Sequence, residues 1–419
     1  MNNKDIFLER AKEYFGNNYE KFVSKLNEKQ THGFILNLKK GNERDLLSHI
    51  DFEYEKYNCN AFRHGNLSIG KSYAHELGLI YSQGLEASEP CLLPDIKDTK
   101  IVLDMCASPG GKSINILNRV SNDTIVIANE YEYKRVQALN SNLERLGYEN
   151  VIITNKKTSE LSKELYASVD LVILDAPCSG EGMIRKYPEI LNDYSVKNIN
   201  SLAELQASLL EDAYKCLKPN GQLLYSTCTY SFEEDEDQVN SFLSKHKDMR
   251  IINSPKKLSV IDETEGQFMV LFKKDATGSV NKIKYLDNIS NKLIDNFIKE
   301  NIIVDSYYLY RHNDNFYLSL IPLINMGNNV IRYGLDLGSL KKDRFEPSHC
   351  LYRSNLLEFK TVYDLSDKEY ELFIKGNELP VDLKDNYYQV RYKGFALGYG
   401  KVSNNRLKNK YPKGLRKMI

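Results

Sequence analysis

Asp175 and Cys178 lie within the stretch DLVILDAPCSGEGMIRK (residues 170–186), and Cys228 lies near the end of GQLLYSTCT (221–229). A thiolate is a strong nucleophile, and carbon 6 of a pyrimidine is an electrophile. Taken singly, a buried cysteine is an ordinary core residue. Two thiols at the ends of different strands beside a nucleoside pocket instead suggest covalent catalysis on a base. In an open α/β sheet the turn after a strand is where ligands bind, which places Asp175 and Cys178 at the mouth of a cleft.

The first glycine-rich turn, LDMCASPGGKS (103–113), is open to three chemistries. A dinucleotide fingerprint requires GxGxxG, but Cys106, Ser108 and Pro109 fall where those glycines belong. A phosphate-binding loop requires GxxxxGK[ST]. Gly111, Lys112 and Ser113 match it and LVILD (171–175) resembles a magnesium-holding strand, yet the first loop glycine is Cys106. The third option is S-adenosylmethionine, whose methionine end needs close backbone approach without a phosphate cradle. Gly110 and Gly111 permit that approach, and Asp104 stands where an ammonium group would be received. Glu130 decides in favour of the third. It ends the next apolar run, where an acid accepts hydrogen bonds from the two hydroxyls of a ribose. A phosphate-loop protein has no use for it.

The elements that must position these residues follow from hydrophobic patterning. Strands at 101–105, 124–130, 151–154, 169–175 and 221–227 alternate with helices at 111–120, 133–146 and 196–217, and a late strand at 267–274 forms one arm of a terminal hairpin. Alternation of this kind predicts a parallel, doubly wound sheet. Pro219-Asn220-Gly221 reads as the entry turn to the strand before Cys228, and the acidic run Glu233–Asp237 as the start of a helix. Residues 1–95 read as two helices (5–14 and 19–26) and then less regular chain, in which Arg63, His64, Lys71 and Tyr73 form either an RNA-facing or a merely solvated surface. Beyond 280 a helix and alternating strands around Asn313-Asp314 signal a further domain.

Composition bounds the rest. A chain of 419 residues holds roughly two or three domains. Acids and bases balance at 57 each, so net charge points to no partner, but Asp385 is the last acid and nine Lys or Arg follow it. Tyr387, Tyr388, Tyr392, Phe395, Tyr399 and Tyr411 are interleaved with that charge, as expected for a tail that contacts RNA, with Lys408–Lys417 as the expected contact segment. The aromatics of VRYKGFALGYG alternate as in a strand, so about half of them are expected in the core. The seven cysteines show no CxxC or Cys/His spacing, which argues against a metal site and a disulfide framework and fits a reducing cytoplasm. No run approaches the ~18 apolar residues of a membrane span, and the charged N-terminus does not read as a secretion signal.

DAPCSGEGMIRK, STCTYSFEEDE and DMCASPGGKS together resemble the Sun family of RNA 5-methylcytosine methyltransferases, specifically its RsmF-like ribosomal RNA branch, and the likeness extends through 330–348 and the C-terminal end. The resemblance implies a class I S-adenosylmethionine-dependent methyltransferase domain (Rossmann-like, 96–278). It implies an N-terminal RNA-binding segment (1–95) and a C-terminal α+β PUA-like RNA-binding domain (279–419). By the same resemblance Cys228 adds to carbon 6 of cytosine, Asp175 holds the ring edge, and Cys178 assists release. The cofactor is then held by Cys106, Ala107, Ser108, Pro109, Gly110, Gly111, Lys112, Glu130 and, on one edge, Asp175, with Arg135 facing it. Many relatives carry an acid after the third strand for the adenine amino group. This chain offers Asn155, Lys156 and Lys157, so Asn155 is expected to substitute. Ribosomal RNA or a ribosomal subunit is the implied partner, with transfer RNA as the alternative substrate and a monomer as the expected state. Competing readings are a phosphate-loop nucleotide hydrolase and an inactive RNA-binding assembly factor.

Overall fold

The computed structural model describes residues 2–65, 68–342 and 344–416. The chain starts with α1 (Asn3–Phe15) and α2 (Tyr19–Leu26). The Asn2 side chain accepts from the Asp5 amide at 2.9 Å and Asp5 accepts from the Asn2 amide at 3.1 Å, satisfying donors that a helix start leaves orphaned. Phe7, Ala11 and Phe22 pack on Ile184, Tyr194 and Tyr230, so both helices brace the segment that follows Cys178.

The chain expected to be less regular up to residue 95 holds a small antiparallel sheet. Its parts are β1 (His32–Leu36), α3 (Glu43–Ser48), β2 (Tyr54–Lys56), β3 (Ala61–His64), α4 (Tyr73–Glu76) and β4 (Ile80–Ser82), with strand order β2-β3-β1-β4. Strands of three to five residues carry too little periodicity to read, and their partners lie far along the chain. The surface reading of this stretch fails for His64, whereas Tyr73 is half-buried. His64 is buried beside Phe34 and Phe52, and the Tyr73 ring packs on Tyr392 at 5.8 Å.

The large central sheet and its flanking helices are built from β5 (Ile101–Asp104), α5 (Gly111–Arg119), β6 (Ile125–Asn129), α6 (Tyr133–Leu146), β7 (Val151–Thr154), α7 (Thr158–Glu164), β8 (Val169–Asp175), α8 (Val196–Cys216), β9 (Leu217–Thr227), α9 (Glu236–Lys245), β10 (Met249–Leu258) and β11 (Gln267–Lys274). Every residue of β5, β6 and β7 is buried, which explains their unbroken apolar runs. Strands β5 to β9 are parallel, and β11 runs antiparallel between β9 and β10. The turn expected at Pro219-Asn220-Gly221 is absorbed into β9 as an irregularity, where the register with β8 jumps from Val169↔Leu217 to Leu171↔Gln222.

The last third comprises α10 (Lys292–Asn301), β12 (Ile302–Ile303), β13 (Tyr308–His312), β14 (Asn315–Ser319), β15 (Val330–Tyr333), β16 (Leu335–Lys341), β17 (Arg344–Pro347), β18 (Glu358–Phe359), β19 (Val362–Leu365), α11 (Asp367–Ile374), β20 (Leu379–Pro380), β21 (Tyr387–Tyr392), β22 (Phe395–Ser403) and β23 (Arg406–Asn409). Strand β15 pairs antiparallel with β7 and completes the sheet β10-β11-β9-β8-β5-β6-β7-β15, so chain beyond residue 278 joins the large central sheet. Strands β13-β14-β16-β17 and β19-β21-β22-β23-β20 form two further sheets.

The β19–β23 sheet shares one core with the N-terminal sheet, through Phe373, Val390 and Leu397 against Phe34, Leu36 and Leu77. Arg353, buried, ties the units together by donating to the carbonyls of Leu397 (3.0 Å), Glu76 (2.7 Å) and Arg145 (2.6 Å). No helix of the described residues is long and apolar enough to cross a membrane.

Candidate active site

Strands β8 and β9 lie side by side and parallel with Asp175 opposite Ser226, so the turns that follow them emerge together. That adjacency brings Cys178 Sγ to 3.1 Å from Cys228 Sγ, and the Cys228 amide donates to Cys178 Sγ at 3.3 Å. The hydrogen bond with Cys228, reinforced by burial, holds the Cys178 thiol well above its ordinary pKa. Cys178 therefore keeps its proton beside its neighbour. Asp175, at the tip of β8, accepts from Ser226 Oγ at 2.7 Å through Oδ1 and meets Lys112 Nζ at 2.7 Å through Oδ2. Burial would depress the Lys112 ammonium, but Asp175 outweighs it and the pKa is raised. Lys112 is thus committed to a carboxylate, not held over a loop for phosphate.

Residues 105–111 wrap the tip of β5. The Ala107 amide donates to the Asn129 carbonyl at 2.8 Å, and the Ser108–Pro109 bond is cis. Gly110 has φ +116°, a conformation that side chains resist, and a Cβ on Gly111 would press on the Gln83 amide at 3.2 Å. Arg135 fastens this turn, donating to the Ser108 carbonyl at 3.0 Å while Ser108 Oγ donates to the Arg135 carbonyl at 2.9 Å. Its guanidinium also stands 3.6 Å from Glu130. Beneath the turn, Asp104 is fully buried, accepts from Ser113 Oγ at 2.6 Å, and leaves Oδ1 without a partner. Burial pushes its pKa up to about 7.

A hollow of about 470 Å³ opens beside these tips, with Met105, Cys106 and Glu130 on the strand side and Thr158, Leu209 and Asp212 on the helical side. Glu130 is buried at the end of β6 and accepts from the Glu132 amide at 2.9 Å. Asn155 does not line the hollow. Its side-chain amide donates to the carbonyls of Glu130 and Tyr131, both at 2.7 Å, and so shapes the Glu130 turn from behind. The residues present fit S-adenosylmethionine. An unpartnered carboxylate oxygen on Asp104 suits an ammonium group, Glu130 suits ribose hydroxyls, and a cradle for phosphate is missing among the described residues of the loop.

Sequence reasoning missed the acids behind the two thiols. Helix α9 begins only at Glu236, and the preceding acids turn inward. Glu234 accepts from the Ser179 amide at 2.9 Å and from Gln206 Nε2 at 2.8 Å, while Gln206 also donates to the Pro177 carbonyl at 2.8 Å. Asp235 accepts from Thr227 Oγ1 at 2.6 Å and pairs with Lys257 at 2.9 Å. Buried Glu181 accepts from Tyr194 (2.6 Å), Thr229 (3.1 Å) and the Tyr230 amide (3.2 Å). These acids pin both cysteine turns. The one sequence signal was a dense acidic run directly after a strand, which looks the same whether it faces water or the interior.

Backbone contact sets the spacing of the two turns. The Gly182 amide donates to the Cys228 carbonyl at 3.0 Å, and the Gly266 amide donates to the Gly182 carbonyl at 2.8 Å. Within VRYKGFALGYG, Tyr392 and Tyr399 are buried and Phe395 is half-buried, and Tyr388 and Tyr411 outside it are buried as well. Lys408, Lys410 and Lys413 are exposed, and Lys417 lies outside the described residues.

Comparison with known proteins bears on this geometry. The family described as 16S rRNA methyltransferase RsmB/F matches residues 91–278, and the methyltransferase RsmF PUA domain matches residues 360–417. A ribosomal RNA small subunit methyltransferase F from Psychromonas ingrahamii is 29% identical over 399 residues, covering 83% of this chain and 81% of the relative. One from Shewanella amazonensis is 39% identical over 189 residues, covering 44% of this chain and 40% of the relative. Among solved structures, a methyltransferase homolog protein from Pyrococcus horikoshii superposes with TM-score 0.57 at 25% identity, covering 64% of this chain and 93% of that one. NSun6 from Pyrococcus horikoshii with SFG gives TM-score 0.59 at 20% identity over 65% of this chain and 98% of that one, a likeness of fold.

Proposed function

We propose that this chain, which belongs to the RsmB/F family of 16S rRNA methyltransferases, methylates carbon 5 of cytosine in ribosomal RNA through a covalent adduct on Cys228. S-adenosylmethionine supplies the methyl group, and Asp104, Glu130 and the 106–111 turn would hold it. The observation that carries the reading is the 3.1 Å approach of Cys178 and Cys228 beside Asp175.

Cytosine carbon 5 is a poor nucleophile until the 5,6 double bond is broken. Cys228 adds to carbon 6, and the electron pair moves toward N3. Asp175, held by Lys112 and Ser226, would accept from the exocyclic amino group and orient the ring, while the adjacent Lys112 ammonium offsets the negative charge that develops at N3. Carbon 5 then takes the methyl group. Loss of its proton to solvent water and departure of Cys228 as the thiolate restore the ring. Cys178, holding its proton, donates a hydrogen bond to the departing sulfur. Extruding the base from a stack costs a few kcal/mol, which further RNA contacts must offset. A groove of about 640 Å³ lined by Lys29, His32, Ser68 and Lys186 supports such contacts, as does the basic tail. Residues 1–95 and 279–419 would thus serve as RNA-binding units around a catalytic domain at 96–278, acting as a monomer.

The test uses Cys178→Ala and Cys228→Ser with ribosomal RNA. Cys178→Ala should accumulate a denaturant-resistant protein–RNA complex, and Cys228→Ser should abolish both complex and turnover. Turnover by Cys228→Ser at the unmodified protein's rate would refute the role of Cys228. Bisulfite sequencing of ribosomal and transfer RNA from cells with and without the gene decides between the two substrates.

A further inference from the structure

We infer that Asp212 recognises the amino edge of the cofactor's adenine, in place of the acid that relatives carry after the third strand; this rests on reading the 470 Å³ hollow as the cofactor pocket. Residues 155–157, directly after β7, offer no acid to that edge. Asn155 lies outside the hollow, its side-chain amide donating to the Glu130 and Tyr131 carbonyls. Lys156 is buried with its ammonium 2.5 Å from both Glu164 Oε1 and the Met326 carbonyl. Lys157, exposed at the edge of the hollow, offers donors only.

Adenine presents an amino group, a donor, at that edge, and the pocket must answer with an acceptor. Three acids line the hollow: Glu130, Glu132 and Asp212. Glu130 stands at the β6 tip, where the ribose is expected, and Glu132 is exposed. Asp212 enters from α8 and is only 6% exposed. Its Oδ1 accepts from Ser162 Oγ at 3.1 Å and Lys215 Nζ at 3.3 Å, whereas Oδ2 accepts only from Thr158 Oγ1, at 2.8 Å, among the hydrogen bonds of the described residues. A carboxylate oxygen has two acceptor sites, so Oδ2 retains one. Leu205 and Leu209, on the same helix, together with Pro177 supply apolar surface for the flat faces of the base.

An acceptor-only group favours a 6-amino purine and repels a 6-oxo one. The experiment measures binding of S-adenosylhomocysteine and S-inosylhomocysteine to the full chain by calorimetry. The unmodified protein should prefer the adenosyl ligand by about 10- to 100-fold. Asp212→Asn, which offers a donor as well as an acceptor, should shrink the preference to within about 3-fold, and so should Asp212→Ser, which keeps a hydroxyl for Thr158. Thr158→Val should leave the preference intact, separating recognition from a role in holding α7. A preference near unity in the unmodified protein, or one unchanged in both Asp212 variants, would overturn the inference. Failure of the unmodified protein to bind S-adenosylhomocysteine would instead overturn the cofactor reading itself.

Discussion

Substituting Gly182 by alanine should separate the two cysteine turns while leaving the cofactor pocket alone. Gly182 has no positive φ, so alanine is tolerated by the backbone itself and the cost is steric. A Cβ there would sit 2.5 Å from Gly266 Cα and 2.9 Å from the Cys228 carbonyl oxygen. Carbon contacts are optimal near 3.5–4.0 Å, so one turn must retreat by about 1 Å. Both obstacles are backbone, and no rotamer relieves them. Overpacking of this kind costs about 1–3 kcal/mol. The hydrogen bonds Gly182–Cys228 and Gly266–Gly182, at 3.0 and 2.8 Å, stretch with it, adding about 1 kcal/mol each. The sum is about 3–5 kcal/mol, read in urea as a lower midpoint at unchanged slope. A displacement of that size at reacting groups costs about 100-fold in rate, measured as single-turnover methyl transfer to RNA. Affinity for S-adenosylhomocysteine should stay within about 3-fold, because the hollow does not include Gly182. Unmodified stability and rate in Gly182→Ala would refute the argument from close backbone approach. Equal losses of rate and cofactor affinity would show general unfolding in its place.

Three further outcomes are expected. Arg185 and Glu265 form a buried bidentate pair (Nε–Oε2 3.2 Å, Nη2–Oε1 2.8 Å), so Arg185→Met should destabilise by about 3–5 kcal/mol and the double variant with Glu265→Leu should recover most of it, as a double-mutant cycle will show. Asp104, with its folded pKa near 7 against about 4 unfolded, holds a proton that the unfolded chain has lost. Stability should therefore fall as pH rises from about 4 to about 7, by at most about 4 kcal/mol, and Asp104→Asn should flatten that slope in urea titrations. Replacing exposed Lys408, Lys410 and Lys413 by Gln should weaken RNA binding and reduce the slope of log K against log salt by about 2, at 0.7 per phosphate contact. An unchanged slope would remove the tail from the RNA interface.

Much of the catalytic sheet was legible because its signals are local. Apolar runs such as Ile101–Asp104 and Val169–Asp175 end at Gly and Pro turns, and Gly147, at φ +78°, stops α6 where glycine is needed. The sequence also placed an acid and two thiols at strand ends, since strand and turn signals span only a few residues. What brought Cys178 and Cys228 together was strand order, for the two are 50 residues apart and meet only because β9 pairs with β8. Tertiary structure alone turned Glu234 and Asp235 inward, joined β15 to the edge of β7, and delivered Asp212 to the hollow from a helix that reads merely as amphipathic. Burial and pairing belong to the whole chain, and a residue's own neighbours in sequence do not encode which distant surface will cover it.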